Sequence, residues 1–509
     1  MTDTLAALLA DKTAHARAIG APVRTWMDYG TLRALSADVA AQLRGFGVGA
    51  ADRVAIVLPN GPEMAAAFVT IAQAAVTAPL NPAYQREEYA FYLEDLRAKA
   101  IVVPDGYDGP ALAAAEPLGM VVLRLVADAA GPAGAFRLAG PAGKAAPAGV
   151  PGAEATALIL HTSGTTSRPK IVPLLQSNLA ASARHIGASL ALTGDDVCLN
   201  VMPLFHIHGL VAAVTASLAA GGAVWCAPGF DALKFFGWMT EAKPTWYTAV
   251  PTMHQAILAR AARNRDTIAA HPLRFLRSSS ASLPAQVMVE LQETFNAPVI
   301  EAYGMTEAAH QMACNPLPPR AQKPGSVGIA AGPLLRIAHE VENRLVDGTG
   351  EVVISGPNVT PGYEGNPEAN AKNFFEAEGR RWFRTGDQGA LDEEGYLRLT
   401  GRLKEIINRG GEKISPLEVD GVLLDHPAVQ QVVAFAMPHP KLGEEVAAAV
   451  VLREGHSATE REIRDFAASR MADFKVPRRV VILDEIPKGA TGKLQRIGLA
   501  EKLGLGVPA

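Results

Sequence analysis

The stretch HTSGTTSRPK, at residues 161–170, is a polar loop with one glycine and a terminal lysine. The apolar run TALIL (156–160) before it predicts a buried strand, and QSNLAASARHIGASLAL (176–192) after it has helical spacing. Gly164 lets the backbone turn so that successive N–H groups point at one anion. Further donors and a positive charge come from Thr162, Ser163, Thr165, Thr166 and Lys170. No Gly-Lys-Ser/Thr ends the loop, so it is not a Walker A loop, and these residues alone leave a phosphate cradle and a plain polar turn equally open.

Length and composition indicate a globular protein of more than one domain. The 509 residues are 49% hydrophobic and 19% charged, with a formal net charge of -4, which argues against a nucleic-acid partner. The three cysteines form no CxxC pair, so neither a zinc ribbon nor a disulfide framework is indicated, and a cytoplasmic location fits. No apolar run is long enough to span a membrane, and residues 1–20 predict a surface helix rather than a signal peptide.

Apolar runs that alternate with amphipathic stretches predict βαβ units and parallel sheet. DRVAIVLPN (52–60) is a predicted strand, residues 61–80 have helical spacing, and AIVVPD (100–105) is again a strand. The Ala-, Gly- and Pro-rich residues 127–155 are either a linker or, as we favour, a surface excursion within one large domain.

A domain boundary is predicted near residue 402. The segments EVVISGPNVTPGY (351–363) and GYLRLTGR (395–402) predict a β-rich region. Beyond it, Ser415 and Pro416 predict the N-cap and first residue of a helix. We therefore expect a large domain at 1–402 and a compact α+β domain at 403–509.

Two segments carry candidate nucleotide contacts. In EAYGMTEAAH (301–310), Glu307 is a hard oxygen ligand suited to Mg²⁺, and Thr306 is a phosphate donor. Tyr303 offers a ring for stacking a base, although a core aromatic is the commoner role. In the Thr-Gly-Asp turn, Asp387 is placed to accept both ribose hydroxyls with Arg402 nearby, or else caps its own turn.

Two further segments carry cations. Lys493, in PKGATGKLQR (487–496), lies on a glycine-containing loop that either reaches an active site or is solvated. In PLFHIHG (203–209), a strand would point His206 and His208 to one side. No Cys, Asp or Glu stands near them in sequence, so a contact with a substrate carboxylate or a packed core pair is favoured over zinc.

In their order over more than 300 residues, these motifs resemble those of the AMP-forming adenylate ligases, which include acyl-CoA synthetases, luciferases and peptide-synthetase adenylation domains. The resemblance implies an α/β fold with a large N-terminal adenylate-forming domain, made of sheets with helices plus a β-rich subdomain. It also implies a small, mobile α+β C-terminal lid. The implied reaction uses ATP, Mg²⁺ and coenzyme A: a carboxylate displaces pyrophosphate from ATP, and the CoA thiol then displaces AMP.

The same resemblance implies roles for individual residues. The residues that would contact the β- and γ-phosphates are Thr162, Ser163, Gly164, Thr165, Thr166 and Lys170. Thr306 would contact the α-phosphate, and Glu307 would hold Mg²⁺. The adenine wall falls to Ser280, Ala281, Ser282, Glu301, Ala302 and Tyr303. Asp387 and Arg402 would hold the ribose, and Lys493 would neutralise charge in the adenylation step. The hinge between the domains would be at Lys404, and Gly410 and Gly411 would line the pantetheine tunnel.

The residues near the expected acid pocket are polar rather than apolar: His206, His208, Arg277, the segment 278–282 and His310. Because a buried second carboxylate needs cationic or hydrogen-bonding partners, a small dicarboxylate fits better than a fatty chain. Six segments also resemble those of oxalyl-CoA synthetases of plants and fungi, which implies oxalate as the acid. They are residues 161–170, 203–210, 246–258, 274–283, 301–312 and 407–424. Malonyl-CoA synthetases tend to have Arg where this chain has Ala302. Malonate, another short- or medium-chain acid, or a carrier protein in place of CoA stay as alternatives, with a monomer or homodimer expected.

Overall fold

The computed structural model describes residues 3–162, 169–487 and 494–506. These residues form 27 strands and 15 α-helices. The strands, numbered in chain order, are β1 (Arg17–Gly20), β2 (Met27–Asp28), β3 (Arg53–Ile56), β4 (Val76–Pro79), β5 (Ala100–Pro104), β6 (Val121–Ala127), β7 (Phe136–Ala139), β8 (Thr156–His161), β9 (Ile171–Leu175), β10 (Val197–Asn200), β11 (Ala223–Cys226), β12 (Trp246–Ala249), β13 (Phe275–Ser279), β14 (Val299–Met305), β15 (His310–Cys314), β16 (Ile329–Ala330), β17 (Leu334–Ala338), β18 (Leu345–Val346), β19 (Thr349–Ser355), β20 (Phe374–Ala377), β21 (Arg380–Leu391), β22 (Leu397–Arg402), β23 (Ile407–Arg409), β24 (Glu412–Ile414), β25 (Val429–His439), β26 (Gly443–Leu452) and β27 (Arg479–Ile482).

The α-helices are α1 (Leu5–Ala10), α2 (Tyr29–Gly45), α3 (Pro62–Ile71), α4 (Arg86–Leu96), α5 (Pro110–Ala115), α6 (Gln176–Ser189), α7 (Ala216–Ala219), α8 (Phe235–Ala242), α9 (Pro251–Ala261), α10 (Arg265–Ala270), α11 (Ala285–Phe295), α12 (Pro367–Asn373), α13 (Pro416–Leu424), α14 (Glu460–Ala468) and α15 (Leu499–Lys502). A π-helix at His208–Thr215 runs directly into α7. No helix of the described ranges is long and apolar enough to cross a membrane.

A seven-stranded sheet has the order β7-β6-β5-β3-β4-β8-β9. The βαβ prediction is confirmed, because β3 pairs in parallel with β4 and β5, and β5 with β6. The excursion predicted at 127–155 is also confirmed. Within it, β7 pairs with β6, and the chain then returns to the same sheet as β8.

A nine-stranded sheet has the order β16-β15-β14-β13-β12-β10-β11-β1-β2. Its strands from β14 to β1 are parallel to one another. The carboxyl ends of β10, β12, β13 and β14 therefore meet at one edge, the usual place for a ligand in such sheets. The polar segments after β10, β13 and β14 are brought together there.

Helix α3 explains how the two large sheets share one core. All residues from Met64 to Ile71 are buried, so this helix is apolar on every side, as expected of a helix enclosed between layers. Helix α6 and the π-helix belong to the same hydrophobic cluster.

The β-rich region forms a six-stranded antiparallel sheet. Its order is β18-β17-β19-β21-β20, and β22 pairs with β21. The register places Asp387 of β21 opposite Arg402 of β22. Two residues that lie apart in sequence are thus neighbours through backbone pairing alone.

The C-terminal region has a separate five-stranded sheet, in which β24-β23-β26-β25 are antiparallel and β27 joins β26 in parallel. The predicted cap of α13 is confirmed: the Ser415 side chain accepts from the Glu418 amide, and Pro416 is the first helical residue. The chain thus has a large N-terminal domain and a smaller C-terminal domain. The boundary at 402/403 stays a prediction.

Three predictions of local structure away from residues 161–170 are wrong. The helix predicted over 61–80 ends at Ile71, because residues 76–79 complete the parallel sheet as β4. The predicted surface helix at the N-terminus is only α1, and its Leu5, Leu8 and Leu9 are buried in the main core. Residues 203–209 are not a strand, since they bend at His206 and enter the π-helix at His208.

Candidate active site

The phosphate-loop candidate connects β8 to β9. The amide of Thr162 donates to the Lys170 carbonyl, and the amide of Lys170 donates to Thr162 Oγ1, each at 3.0 Å. The predicted strand–loop–helix arrangement is wrong, because β9 lies between the loop and α6. Strands β8 and β9, which flank the loop, pair antiparallel, so the next element after the loop is a strand and not a helix. Ser163, Gly164, Thr165 and Thr166 lie outside the described residues.

Lys170 and Glu307 are joined through Tyr363. The Lys170 ammonium lies 4.2 Å from the centre of the Tyr363 ring, and the Tyr363 hydroxyl donates to Glu307 Oε1 at 2.8 Å. Burial raises the pKa of the Glu307 carboxyl, while the Tyr363 hydrogen bond opposes that rise. Burial lowers the pKa of Lys170, and the Glu307 charge works against that change. Thr306 begins the short 3₁₀ turn that carries Glu307.

The ribose candidates are assembled as the register implies. Arg402 Nε lies 3.4 Å from Asp387 Oδ1, and the Tyr303 hydroxyl donates to Asp387 Oδ2. The Asp387 charge raises the pKa of Arg402. Tyr303 is thus hydrogen-bonded to the Asp387 carboxylate, a pairing that the sequence motifs did not predict.

The adenine-wall candidates lie at the ends of β13 and β14. Ala281 and Ser282 are exposed, whereas Ala302 is buried in the strand. Glu301 is buried, and its Oε1 accepts the Leu283 amide at 2.8 Å. Burial raises the pKa of Glu301 to about 8. Glu301 therefore holds the turn after β13 rather than facing solvent.

The acid-pocket candidates form one buried cluster around Arg277. Its Nη1 lies 3.4 Å from His208 Nε2, and its Nη2 lies 3.5 Å from His310 Nδ1 and 3.2 Å from Gln311 Oε1. His208 Nδ1 lies 3.0 Å from Ser280 Oγ. Burial lowers the pKa of Arg277 to about 10, which leaves the guanidinium charged at neutral pH.

The backbone around this cluster is tight. His310 has φ 103°, and a Cβ added to Gly304 on the neighbouring strand β14 would lie 2.0 Å from the His310 carbonyl oxygen. A side chain at position 304 would thus displace His310. His206 is engaged locally, because its Nδ1 accepts the His208 amide at 3.2 Å.

The hinge and tunnel candidates are exposed. Lys404 lies between β22 and β23, and Gly410 and Gly411 form the turn between β23 and β24. Both glycines have positive φ, at 60° and 98°. Lys493 lies outside the described residues. The amide of Gln495 donates to the Pro487 carbonyl at 3.4 Å, so the two ends of its loop are close together.

A partly buried ion network follows the Lys493 loop. Arg496 Nη2 lies 2.5 Å from Asp420 Oδ2, Nη1 donates to the Ala434 carbonyl at 2.7 Å, and Nε lies 3.6 Å from Glu405 Oε2. Burial raises the pKa of Asp420, and the Arg496 charge opposes that shift. A cavity of about 610 Å³ between the domains is lined by both Arg496 and Ser282.

Sequence reasoning missed several residues of this site. Tyr363, Thr248 and Gln311 carry no local motif, and they become neighbours of Glu307, His208 and Arg277 only through the strand order. Arg496 was quoted as part of a basic loop, but its pairing with Asp420 depends on the C-terminal sheet.

The parallel sheet edge, the Lys170–Tyr363–Glu307 group and the Asp387–Arg402 pair define a mixed α/β adenylate-forming enzyme. The AMP-binding enzyme family matches residues 6–364, and the AMP-binding enzyme C-terminal domain matches residues 418–493. The chain belongs to the AMP-binding enzyme family, as its motifs predicted. It is an acid–thiol ligase that uses ATP and CoA.

Known proteins resemble this chain over nearly its full length. Oxalate–CoA ligase of Arabidopsis thaliana is 46% identical over 507 residues, which cover 97% of this chain and 98% of that protein. Oxalate–CoA ligase of Saccharomyces cerevisiae is 42% identical and covers 88% of this chain and 86% of its own length. The crystal structure of ATP-bound MatB from Rhodopseudomonas palustris has a TM-score of 0.87 and 30% identity, with 99% of each chain covered.

Proposed function

We propose that this enzyme joins oxalate to coenzyme A at the expense of ATP. In the first step a carboxylate oxygen attacks the α-phosphorus, the bond to the β-phosphate oxygen breaks, and pyrophosphate leaves. In the second step the CoA sulfur attacks the acyl carbon, the bond to AMP breaks, and the thiol proton passes to solvent. The products are oxalyl-CoA, AMP and pyrophosphate.

The buried guanidinium of Arg277 is the observation that supports oxalate as the acid. Its polar partners are Thr248, Gln311 and two histidines, and no Asp or Glu of the described residues is among them. A buried cation without a counter-charge is costly unless an anion joins it. When one carboxylate of a dicarboxylate reacts, the other stays charged and supplies that anion. The two oxalate–CoA ligases that match the chain support oxalate within this class.

The nucleotide would lie across the residues already brought together. Lys170 and Thr162 stand at the base of the phosphate loop, and Asp387 with Arg402 would receive the ribose hydroxyls. Thr306 would contact the α-phosphate, and Tyr303 would border the adenine while its hydroxyl holds Asp387.

Glu307 fits a magnesium ligand. The described residues contain no cluster of three His, Cys, Asp or Glu side chains that would form a complete protein cage. Mg²⁺ instead typically takes one or two carboxylates together with substrate phosphates. Held so by Glu307, the ion would neutralise charge on the phosphates. Tyr363 orients the Glu307 carboxylate through its hydroxyl, which is the protein's own contribution.

The C-terminal domain would act twice. Lys493 would neutralise negative charge between oxalate and the α-phosphate in the first step. Rotation about Lys404 would then withdraw it and bring Gly410 and Gly411 beside the pantetheine arm, where the absence of side chains allows close passage.

Pyrophosphate release measured across oxalate, malonate, acetate, benzoate and octanoate, with Mg-ATP and CoA, tests the proposal. We expect oxalate to give the highest kcat/KM. A flat response to oxalate together with strong turnover of octanoate would overturn the substrate assignment. Mass spectrometry of the product separates free CoA from a carrier protein as the acceptor, since only the former gives oxalyl-CoA in this mixture.

A further inference from the structure

Arg277 lies at the centre of the buried cluster that is proposed as the acid pocket. Its side chain is fully buried at the centre of β13, and its Nη2 donates to Gln311 Oε1. The Gln311 amide is itself oriented, because its Nε2 donates to Ser189 Oγ at 3.0 Å and to the Ala331 carbonyl at 3.2 Å. The guanidinium therefore has a fixed position from which it meets one nitrogen of each histidine.

We propose that Arg277 is a positioning residue that fixes the hydrogen of His208 on Nδ1 and that of His310 on Nε2. A guanidinium has donors and no acceptor. The nitrogens at 3.4 and 3.5 Å from it, His208 Nε2 and His310 Nδ1, must therefore present lone pairs. The remaining hydrogen of each neutral ring then sits on its other nitrogen.

The contacts of His208 form a directed chain that agrees with this assignment. Arg277 Nη1 lies 3.5 Å from Thr248 Oγ1, which lies 2.6 Å from His208 Nε2. With Arg277 as the donor, the Thr248 hydroxyl donates to Nε2, and His208 Nδ1 donates to Ser280 Oγ. The Ser280 hydroxyl hydrogen is thereby turned away from His208. Ser280 is only partly buried and has φ 74°, so this donor stands at the open end of the chain.

The arrangement also sets the charge of the pocket. Two neutral imidazoles and one guanidinium give a net charge of one, which matches the single carboxylate of oxalate that does not react. This part of the inference rests on the proposed function, whereas the hydrogen positions do not. Arg277 does not need to touch oxalate itself. Its charge acts on oxalate across the rings of His208 and His310, whose centres are 5.1 Å apart.

The hydrogen positions can be measured without turnover. Long-range ¹H–¹⁵N correlation spectra of histidine-labelled protein distinguish the two tautomers of each ring, and His208→Gln and His310→Gln spectra assign the signals among the 12 histidines. We expect an Nδ1–H tautomer for His208 and an Nε2–H tautomer for His310 at neutral pH. The opposite tautomer at either ring in the unmodified protein overturns the proposal, and this result needs no variant at position 277.

Arg277→Met tests the role of the charge. We expect mixed tautomers at the two rings and an oxalate KM raised on the order of 100-fold, with the ATP KM within about twofold. Arg277→Lys keeps the charge and is expected to recover part of the oxalate affinity. It also serves as the second variant if the methionine protein does not fold.

Arg274→Met is the matched control, since Arg274 immediately precedes β13 and pairs with Asp196 at 2.9 Å. It should leave the tautomers and the oxalate KM unchanged. Wild-type tautomers and an oxalate KM within about twofold in both folded Arg277 variants would overturn the positioning role. If the wild-type enzyme shows the expected tautomers but does not turn over oxalate, the positioning role is supported and only the choice of acid is overturned.

Discussion

Tyr363 is the residue that links the charges on the nucleotide side. Its ring faces Lys170, and its hydroxyl donates to Glu307. In Tyr363→Phe the ring stays but the donor is lost, so kcat/KM for Mg-ATP should fall about tenfold, the worth of one hydrogen bond to a charged group. Because that bond opposes the burial-raised pKa of Glu307, its loss raises the pKa further. The acid limb of the pH–rate profile should therefore move to higher pH.

Tyr396→Phe is the control for this change. Tyr396 also carries a lysine ammonium over its ring, from Lys323 at 4.0 Å, and its hydroxyl donates to the Ala321 carbonyl at 2.9 Å. The control should retain the wild-type profile. An unshifted acid limb in Tyr363→Phe would contradict the link between Tyr363 and Glu307.

Glu301 makes stability depend on pH. Its folded pKa of about 8 exceeds the unfolded value of 4.5, so the folded chain holds a proton that the unfolded chain has lost between these pH values. The stability that this proton gives is full below pH 4.5 and is lost as the pH rises through 8. Glu301→Gln keeps an acceptor for the Leu283 amide and cannot ionise. We expect its Tm to exceed that of wild type increasingly from pH 5 to pH 8, by about 4 °C or more at the upper end.

Differential scanning calorimetry at half-unit pH steps measures this difference. Glu293→Gln, on the exposed side of α11, gives the baseline for loss of one surface carboxylate. A Tm difference that is constant across the range would contradict a buried, neutral Glu301.

At the scale of elements, the loop that carries Lys493 is held by the residues that follow it. Arg496 joins this loop to Asp420 on α13 and to Ala434 on β25. Arg496→Gln leaves the Asp420 carboxylate buried without its cation, which should cost about 3 kcal/mol in unfolding free energy. Adenylate formation should fall as well, because the base of the lysine loop loses its anchor.

The double variant Arg496→Gln/Asp420→Asn distinguishes the two effects. It removes the stranded charge, so most of the stability should return in denaturant unfolding, while adenylate formation should stay low. Recovery of both stability and rate in the double variant would show that the anchor has no role in catalysis.

Elements with a clear hydrophobic periodicity or a local capping signal were predicted from the sequence. Elements that depend on contacts with distant parts of the chain were not. The N-cap at Ser415 and the strands beside 52–60 and 100–105 follow from local chemistry. Strand β9 was missed because IVPLL is short, contains Pro173 and pairs with β8 across the loop. The π-helix at His208 was missed because an apolar stretch after two histidines has no period that distinguishes it from a strand.

At the scale of the whole molecule, the order of the motifs was more informative than any one of them. Each motif alone fitted a plain loop, yet together they predicted the family and the two-domain arrangement that the comparisons support. The roles of Arg277 and Tyr363 could not be predicted in the same way. Their partners Glu307, His310 and Gln311 come from the turn after β14 and from β15, and only the sheet order makes them neighbours.

We propose that oxalate and ATP meet at one site, where Lys493 neutralises charge in the first step alone. Oxalate-dependent exchange of labelled pyrophosphate into ATP, compared between wild type and Lys493→Ala, tests it most directly. We expect oxalate to drive exchange in the wild type, Lys493→Ala to abolish it, and the variant to convert supplied acyl-adenylate and CoA to thioester at close to the wild-type rate. Absence of oxalate-driven exchange in the wild type, or equal loss of both half-reactions in Lys493→Ala, would contradict the account.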